Sequence, residues 1–291
     1  MLDFIQQLVS GIALGCVYGL IALGFVLIYK ATEVVNFAQG DLMMLGGFFV
    51  FTFIGLMGID YWLGFLFAVC GMAVFGMATE RILVRPILGY PQFSIVMATI
   101  GLGYFLRSIA GMIWGTDDLR IETPFSAGVL KVGDLVLAHD KLSVIVATVI
   151  LCAVLYAFFN YTRMGTAMRA TSENMLAAYY MGIPVKRVVS LIWAISAAVA
   201  ACAGVLLAPI TFIHSNVGLV LGLKAFPAAV LGGFGSIPGA LVGGLIIGVI
   251  ESLAGFYLPQ GWKDIAPYLV LLIMLLVRPQ GLFGLSMRKK V

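Results

Sequence analysis

The residues with chemistry to offer are few, and most of them sit where charge is costly. Arg107 lies inside the apolar run 92–114, Glu251 inside 237–257, Lys224 inside 217–234, and Asp41 near the start of 40–58. A lone charge at the centre of a membrane helix costs roughly 2.5–3.5 kcal/mol, so each of these groups must find a partner or water. Arg107 and Glu251 both stand about 14 residues, roughly 21 Å at the helical rise, from the same end of their runs. That depth predicts that the two pair or share one polar cavity. Asn36 and Gln39 stand beside Asp41, and Pro227 with the run Gly232 to Gly239 follows Lys224. Irregular backbone at membrane depth persists only where it is buried in protein or faces a water-filled cavity. Unwound helix ends there offer free N–H and C=O groups that suit a small zwitterion. Asn36, Gln39, Asp41, Arg107, Lys224, Pro227 and Glu251 are therefore the expected lining of a polar path.

Catalytic chemistry finds no comparable foothold. His139 and His214 fall in separate segments, with no carboxylate–histidine cluster at metal-ligand spacing, so neither a catalytic residue nor a metal is expected. GLVLGLK at 218–224 lacks the glycine beside the lysine and the following Ser or Thr of a phosphate-binding loop. No cofactor is expected on this chain, and ATP, if it powers the protein, must be used by another polypeptide. Cys16, Cys70, Cys152 and Cys202 each lie in an apolar run at spacings that fit no disulfide framework or metal site. Basic residues form short scattered clusters rather than a stripe with exposed aromatics, which excludes nucleic acid as a partner.

The elements that must hold these groups are transmembrane. Hydrophobic residues make up 62% of the 291 and charged residues 10%, against roughly 25% charged in a soluble domain. Lipid must therefore be the solvent for much of the surface. Runs of about 20 apolar residues, enough to cross the hydrocarbon, occur at 8–29, 40–58, 61–79, 92–114, 142–161, 188–210 and 237–257, with another near 262–278. The first run lacks a basic flank and a cleavage site and is expected to be retained. Stretch 217–234 reads as a broken or re-entrant helix.

Lys and Arg concentrate at Arg81 and Arg85, at Arg163 to Arg187, and in the tail Arg278 to Lys290, whereas 115–141 carries an acidic excess. The positive-inside rule then places 162–188 in the cytoplasm and 115–141 outside, with the amino terminus outside and the carboxyl terminus inside. The expected architecture is one all-α domain over 1–291, a polytopic bundle of about nine crossings. Glycines at 11, 15 and 19, at 235, 239 and 243, and at 244 and 248 make stripes that let helices approach closely. VLKVGDLVL, with Gly133-Asp134 between alternating residues, predicts a small hairpin in the outer loop.

The loop TRMGTAMRATSENMLAAYYMGIPVKRV, 162–188, is too long for a turn. Thr171 or Ser172 can cap a helix that runs to Met181, with Gly182 in the terminating position and Pro184 blocking continuation. Its apolar Met175, Leu176, Tyr179, Tyr180 and Met181 suit a groove on a partner protein.

This loop resembles the cytoplasmic coupling loop of ABC importer permeases: Ala177, Ala178 and Gly182 match their Ala-Ala-x-x-x-Gly, with Leu176 where many carry a glutamate. GLIALGFVLIYKATEVVNFAQGDLMMLGG (19–47), MATIGLGYFLRSIAG (97–111) and KAFPAAVLGGFGSIPGALVGGLIIGVIE (224–251) resemble the permease family that carries branched-chain amino acids. The resemblance covers most of the chain and implies the H-type permease subunit of a bacterial importer in the inner membrane. It further implies a second homologous permease, two cytoplasmic ATPases and an extracytoplasmic amino-acid-binding protein as partners. On this resemblance Ser172, Glu173, Leu176, Ala177, Ala178 and Gly182 are expected to meet the ATPase. Relatives that carry urea or short amides form one alternative. An ion-coupled secondary transporter, working as a single chain, forms the other, and the few intramembrane carboxylates speak against it.

Overall fold

The computed structural model describes residues 2–121, 123–124, 128–132 and 135–284. Among the described residues, seven helical stretches are long and apolar enough to cross a membrane, and the chain is a multi-pass helical bundle. In chain order the helices are α1 (Leu2–Thr32), α2 (Gln39–Val50, extended by a π turn over Phe51–Leu56), α3 (Tyr61–Thr79) and α4 (Gln92–Trp114). A π turn over Glu80–Val84 and a 3-10 turn over Arg85–Ile87 prolong α3. After α4 come strands β1 (Val129–Val132) and β2 (Leu135–Ala138), then α5 (His139–Tyr161), α6 (Arg163–Glu173) and α7 (Met175–Tyr180). The chain continues through α8 (Val185–Leu207), α9 (Val217–Gly232), α10 (Ile237–Tyr257) and α11 (Trp262–Val277).

Burial separates the centre of the bundle from its rim. In the most apolar window of α1, 89% of residues are buried, against 22% in α5 and 28% in α4, so α1 is central while α4 and α5 turn large apolar side chains outward, as lipid contact requires. The glycine stripes account for the central packing. A Cβ on Gly248 would lie 2.3 Å from the Gly15 Cα, and one on Gly11 2.8 Å from the Val249 Cα, so α1 and α10 run antiparallel backbone to backbone. The second stripe of α10 faces α9: Gly239 meets Gly232, and Gly243 meets Ala228. Gly204 on α8 packs against the Met43 carbonyl, and Gly76 on α3 against that of Trp193.

One expectation about the elements is corrected. Stretch 217–234 is not broken: α9 is one helix with Pro227 inside it, and it ends at Gly233 with φ +95°. Pro227 removes one backbone donor, yet close packing on α2 and α10 holds the helix through that gap. Irregular buried backbone lies instead between α1 and α2, where Asn36 and Ala38 are fully buried outside any helix. The expected hairpin forms, with Val132 opposite Leu135; its turn residues Gly133 and Asp134 lie outside the described residues.

Candidate translocation site

The α1–α2 connection dips into the bundle because its polar groups are satisfied there. The Asn36 side-chain carbonyl accepts from the Ala38 N–H at 3.1 Å, and the Phe37 N–H donates to Thr99 Oγ1 on α4 at 3.2 Å. Gln39 opens α2 and reaches α8. Its Nε2 donates to the Ser196 carbonyl at 3.3 Å, while Ser196 Oγ lies 3.1 Å from Gln39 Oε1 and 3.0 Å from the Gly24 carbonyl. Asn36, Gln39 and Ser196 show no exposure at all. Gly24 makes room for this: a Cβ there would overlap the Gln39 amide. Gly24 stands eight residues, about 12 Å, before the end of α1. The polar knot therefore sits well inside the bundle, joining α1, α2, α4 and α8.

Two residues after Gln39, Asp41 faces Arg107 of α4, Oδ1 to Nε at 2.9 Å. The contact is a buried ion pair, the Asp41 side chain 2% and the Arg107 side chain 11% exposed. Gly103 and Gly218 flank the carboxylate, where any side chain would collide with it, and the Arg107 guanidinium lies 4.4 Å from the Tyr104 ring centre. On the other side of α9, Lys224 donates to Glu251 Oε1 at 2.8 Å and to Asp264 Oδ1 at 2.7 Å, and the Tyr18 hydroxyl donates to Glu251 Oε2 at 2.7 Å. Glu251 is 1% exposed, whereas the Asp264 side chain is 72% exposed, so this cluster runs from the interior to an aqueous or headgroup edge.

Arg107 and Glu251 do not pair with each other. Each takes a different partner because α4 packs on α2, whereas α10 packs on α1, α9 and α11. Equal depth therefore brings them to no common contact. Tyr18, Thr99, Ser196 and Asp264 were absent from the expected set. Tyr, Thr and Ser inside apolar runs carry no charge to flag them, and Asp264 reads as an ordinary first-turn acid. Pro227 is buried within α9 with no polar group at that position.

The 162–188 loop forms two helices rather than one. Thr162 caps α6 by accepting from the Gly165 N–H at 3.0 Å. Thr171 and Ser172 fall in the last turn of α6 and do not cap; Asn174 does, accepting from the Ala177 N–H at 2.9 Å. An Asx side chain beside a break competes for the backbone better than a threonine already in a helix. Gly182 adopts φ +81° and ends the element as expected. Leu176, Tyr179, Tyr180 and Met181 are 66–83% exposed, while Ala178 is buried beneath them. A cleft of about 1200 Å³ opens beside α7, lined by Thr171 to Leu176, the end of α1 at Lys30 to Glu33, Glu80, Arg85 and the start of α8. These ends thus share one face of the bundle.

Similarity to known proteins agrees with this build. Residues 7–275 match the family described as branched-chain amino acid transport system, permease component. The chain is 36% identical to the high-affinity branched-chain amino acid transport system permease protein LivH of Escherichia coli K12, covering 100% of this chain and 98% of that one. It is 32% identical to BraD of Pseudomonas aeruginosa, over 99% and 98%. The solved structure of PsaBC from Streptococcus pneumoniae in complex with Fab shares the fold, with a TM-score of 0.51 at 15% identity over 94% of this chain and 91% of that one. With the match running from α1 to the last helix of the bundle, the chain belongs to the branched-chain amino acid transport permease family.

Proposed function

We propose that this chain is the H-type permease subunit of an ATP-driven importer that moves branched-chain amino acids across the bacterial inner membrane. Its amino terminus and the 115–141 loop face outside, its carboxyl terminus and the 162–188 loop face the cytoplasm, and the helices make about nine crossings. Partners are a second homologous permease, two ATPases that bind the nucleotide, and an extracytoplasmic amino-acid-binding protein. The observation that carries this reading is α7. A short helix at the aqueous end of a membrane bundle exposes four large apolar side chains beside a cleft, which marks a surface another protein covers. The family match specifies the kind of system, and the acidic excess of 115–141 against the basic 162–188 supports the sidedness.

The path is lined by the Asn36–Gln39–Asp41 segment with Arg107, and by Lys224, Pro227 and Glu251 along α9 and α10. Buried polar groups on non-helical backbone are tolerated at such depth where they serve a cavity that opens during a cycle. A zwitterion could exchange its carboxylate and ammonium against the buried Asp41–Arg107 pair. The test is reconstitution of the complex in proteoliposomes. ATP-dependent leucine uptake is expected, lost together with ATPase copurification in Leu176→Glu and Tyr180→Glu. Leucine uptake by this chain alone, driven by a proton or sodium gradient, would overturn the reading.

A further inference from the structure

Glu80 is the most deeply buried carboxylate at the α7 end of the bundle, 1% exposed, and it stands apart from the path described above. Its two oxygens are fully engaged. Arg85 Nε donates to Oε1 at 3.0 Å and Arg85 Nη2 to Oε2 at 2.8 Å, a two-pronged pair. The Ser190 hydroxyl on α8 accepts from Arg85 Nη2 and donates to Glu80 Oε2, both at 2.6 Å. Arg85 also reaches the Lys186 carbonyl at 3.4 Å, in the first turn of α8.

The backbone explains why these two residues can pair. Residues five apart in an α-helix point about 140° away from each other, on different faces. The stretch Glu80–Val84 is a π turn, in which residues five apart stack. The widened turn thus puts Arg85 over Glu80, and the pair faces α8. One turn above, Gly76 brings the α3 backbone against the Trp193 carbonyl, so α3 and α8 are locked first by packing and then by charge. The strut holds the stretch of α8 that directly follows α6 and α7. Glu80 and Arg85 also line the cleft whose other wall is Thr171 to Leu176.

We propose that Glu80, Arg85 and Ser190 are positioning residues that make the end of α3 and the start of α8 one rigid body, so that displacement of the α6–α7 loop is carried into the bundle. This rests on the reading of α7 as the ATPase-docking helix. Burial of an ion pair is poor evidence for stability, since apolar replacements often fold as well. The bidentate pair lies within the α3 extension, and Ser190, bonded to both of its members, ties it to α8 and so fixes the relative geometry of the two helices. Without it the loop moves while α3 stays behind, and ATP is hydrolysed with little import.

The measurement is the number of ATP molecules hydrolysed per leucine imported by the reconstituted complex. As a ratio per assembled complex, it is insensitive to a loss of folded protein. Glu80→Gln and Arg85→Gln should keep the ATPase bound and raise the ratio about fivefold, a typical coupling between residues of one network. Ser190→Ala keeps the Glu80–Arg85 pair but removes both short bonds to α8 and should raise it as much, whereas Arg85→Lys, which keeps the charge but loses the fork, should raise it about twofold. Should the Gln variants fail to assemble, Ser190→Ala and Arg85→Lys decide. A wild-type ratio in the assembled variants, with ATPase binding lost in Leu176→Glu, overturns the strut alone. Retention of the ATPase in Leu176→Glu and Tyr180→Glu overturns the docking reading instead.

Discussion

Lys224 is held between two carboxylates, and removing one member of that cluster differs from removing a matched pair. Lys224→Met leaves Glu251 buried with only the Tyr18 hydroxyl as donor, and such an orphaned charge typically costs about 3–5 kcal/mol. Lys224→Met with Glu251→Gln removes both charges and keeps an acceptor for Tyr18, so thermal stability in detergent should largely return. Uptake should stay lost if the charges serve the path; recovery of both would make the cluster structural only. At Asp41 the flanking glycines leave no room for a larger side chain, so exchange is not an option there. Exchanging Arg107→Glu with Glu251→Arg should likewise fail to rescue and be worse than either single change, because each new charge would face its old partner with the wrong sign. Rescue of uptake by that double exchange would mean that the two residues meet in another state.

Among the elements, the α1–α10 contact is sensitive to volume. Gly248→Leu places a side chain where the Gly15 backbone already lies, and overpacking of this kind costs on the order of 1–3 kcal/mol even where neighbours can yield. Here they are backbone atoms that cannot swing aside. Folded yield after membrane extraction should fall steeply, whereas Gly101→Leu, with open space around its Cβ position, should extract like wild type. Equal yields for the two variants would mean that the helices separate freely. In the loop, Asn174→Ala removes the cap of a helix only six residues long, a change worth about 1 kcal/mol. It should weaken ATPase binding more than Ser172→Ala does, since Ser172 bonds only the Arg169 carbonyl of its own helix.

For the whole molecule, the prediction is sidedness. A cysteine at Lys131 on the β1–β2 hairpin should react with an impermeant thiol reagent in intact cells, and one at Tyr180 only after permeabilisation. Of the four native cysteines, Cys16 and Cys202 are buried, so background labelling falls on Cys70 and Cys152. Both lie within membrane helices, where an impermeant reagent does not reach. The reverse pattern would invert the topology and move the α7 cleft away from any cytoplasmic partner.

Much of this was legible in the residues themselves. Helix length against bilayer thickness is a local property, so the seven long apolar helices, the Gly182 stop and the hairpin could be read from periodicity and turn residues. The glycine stripes announced close packing in the same way, since a helical repeat puts them on one face. What periodicity carries is height along an axis and angle around it. It does not say which helix stands next to which around the bundle. For that reason Arg107 and Glu251 could be placed at equal depth, yet only the packed structure paired the first with Asp41 and the second with Lys224. The same holds for the two stripes of α10, one turned to α1 and the other to α9. Arg85 read only as part of a basic cluster, and its pairing with Glu80 went unremarked for a related reason: five residues apart is the wrong spacing for an α-helical pair, and it is a π turn bonded to α8 that brings them together. Local rules set each helix; neighbours far along the chain set what its charges mean.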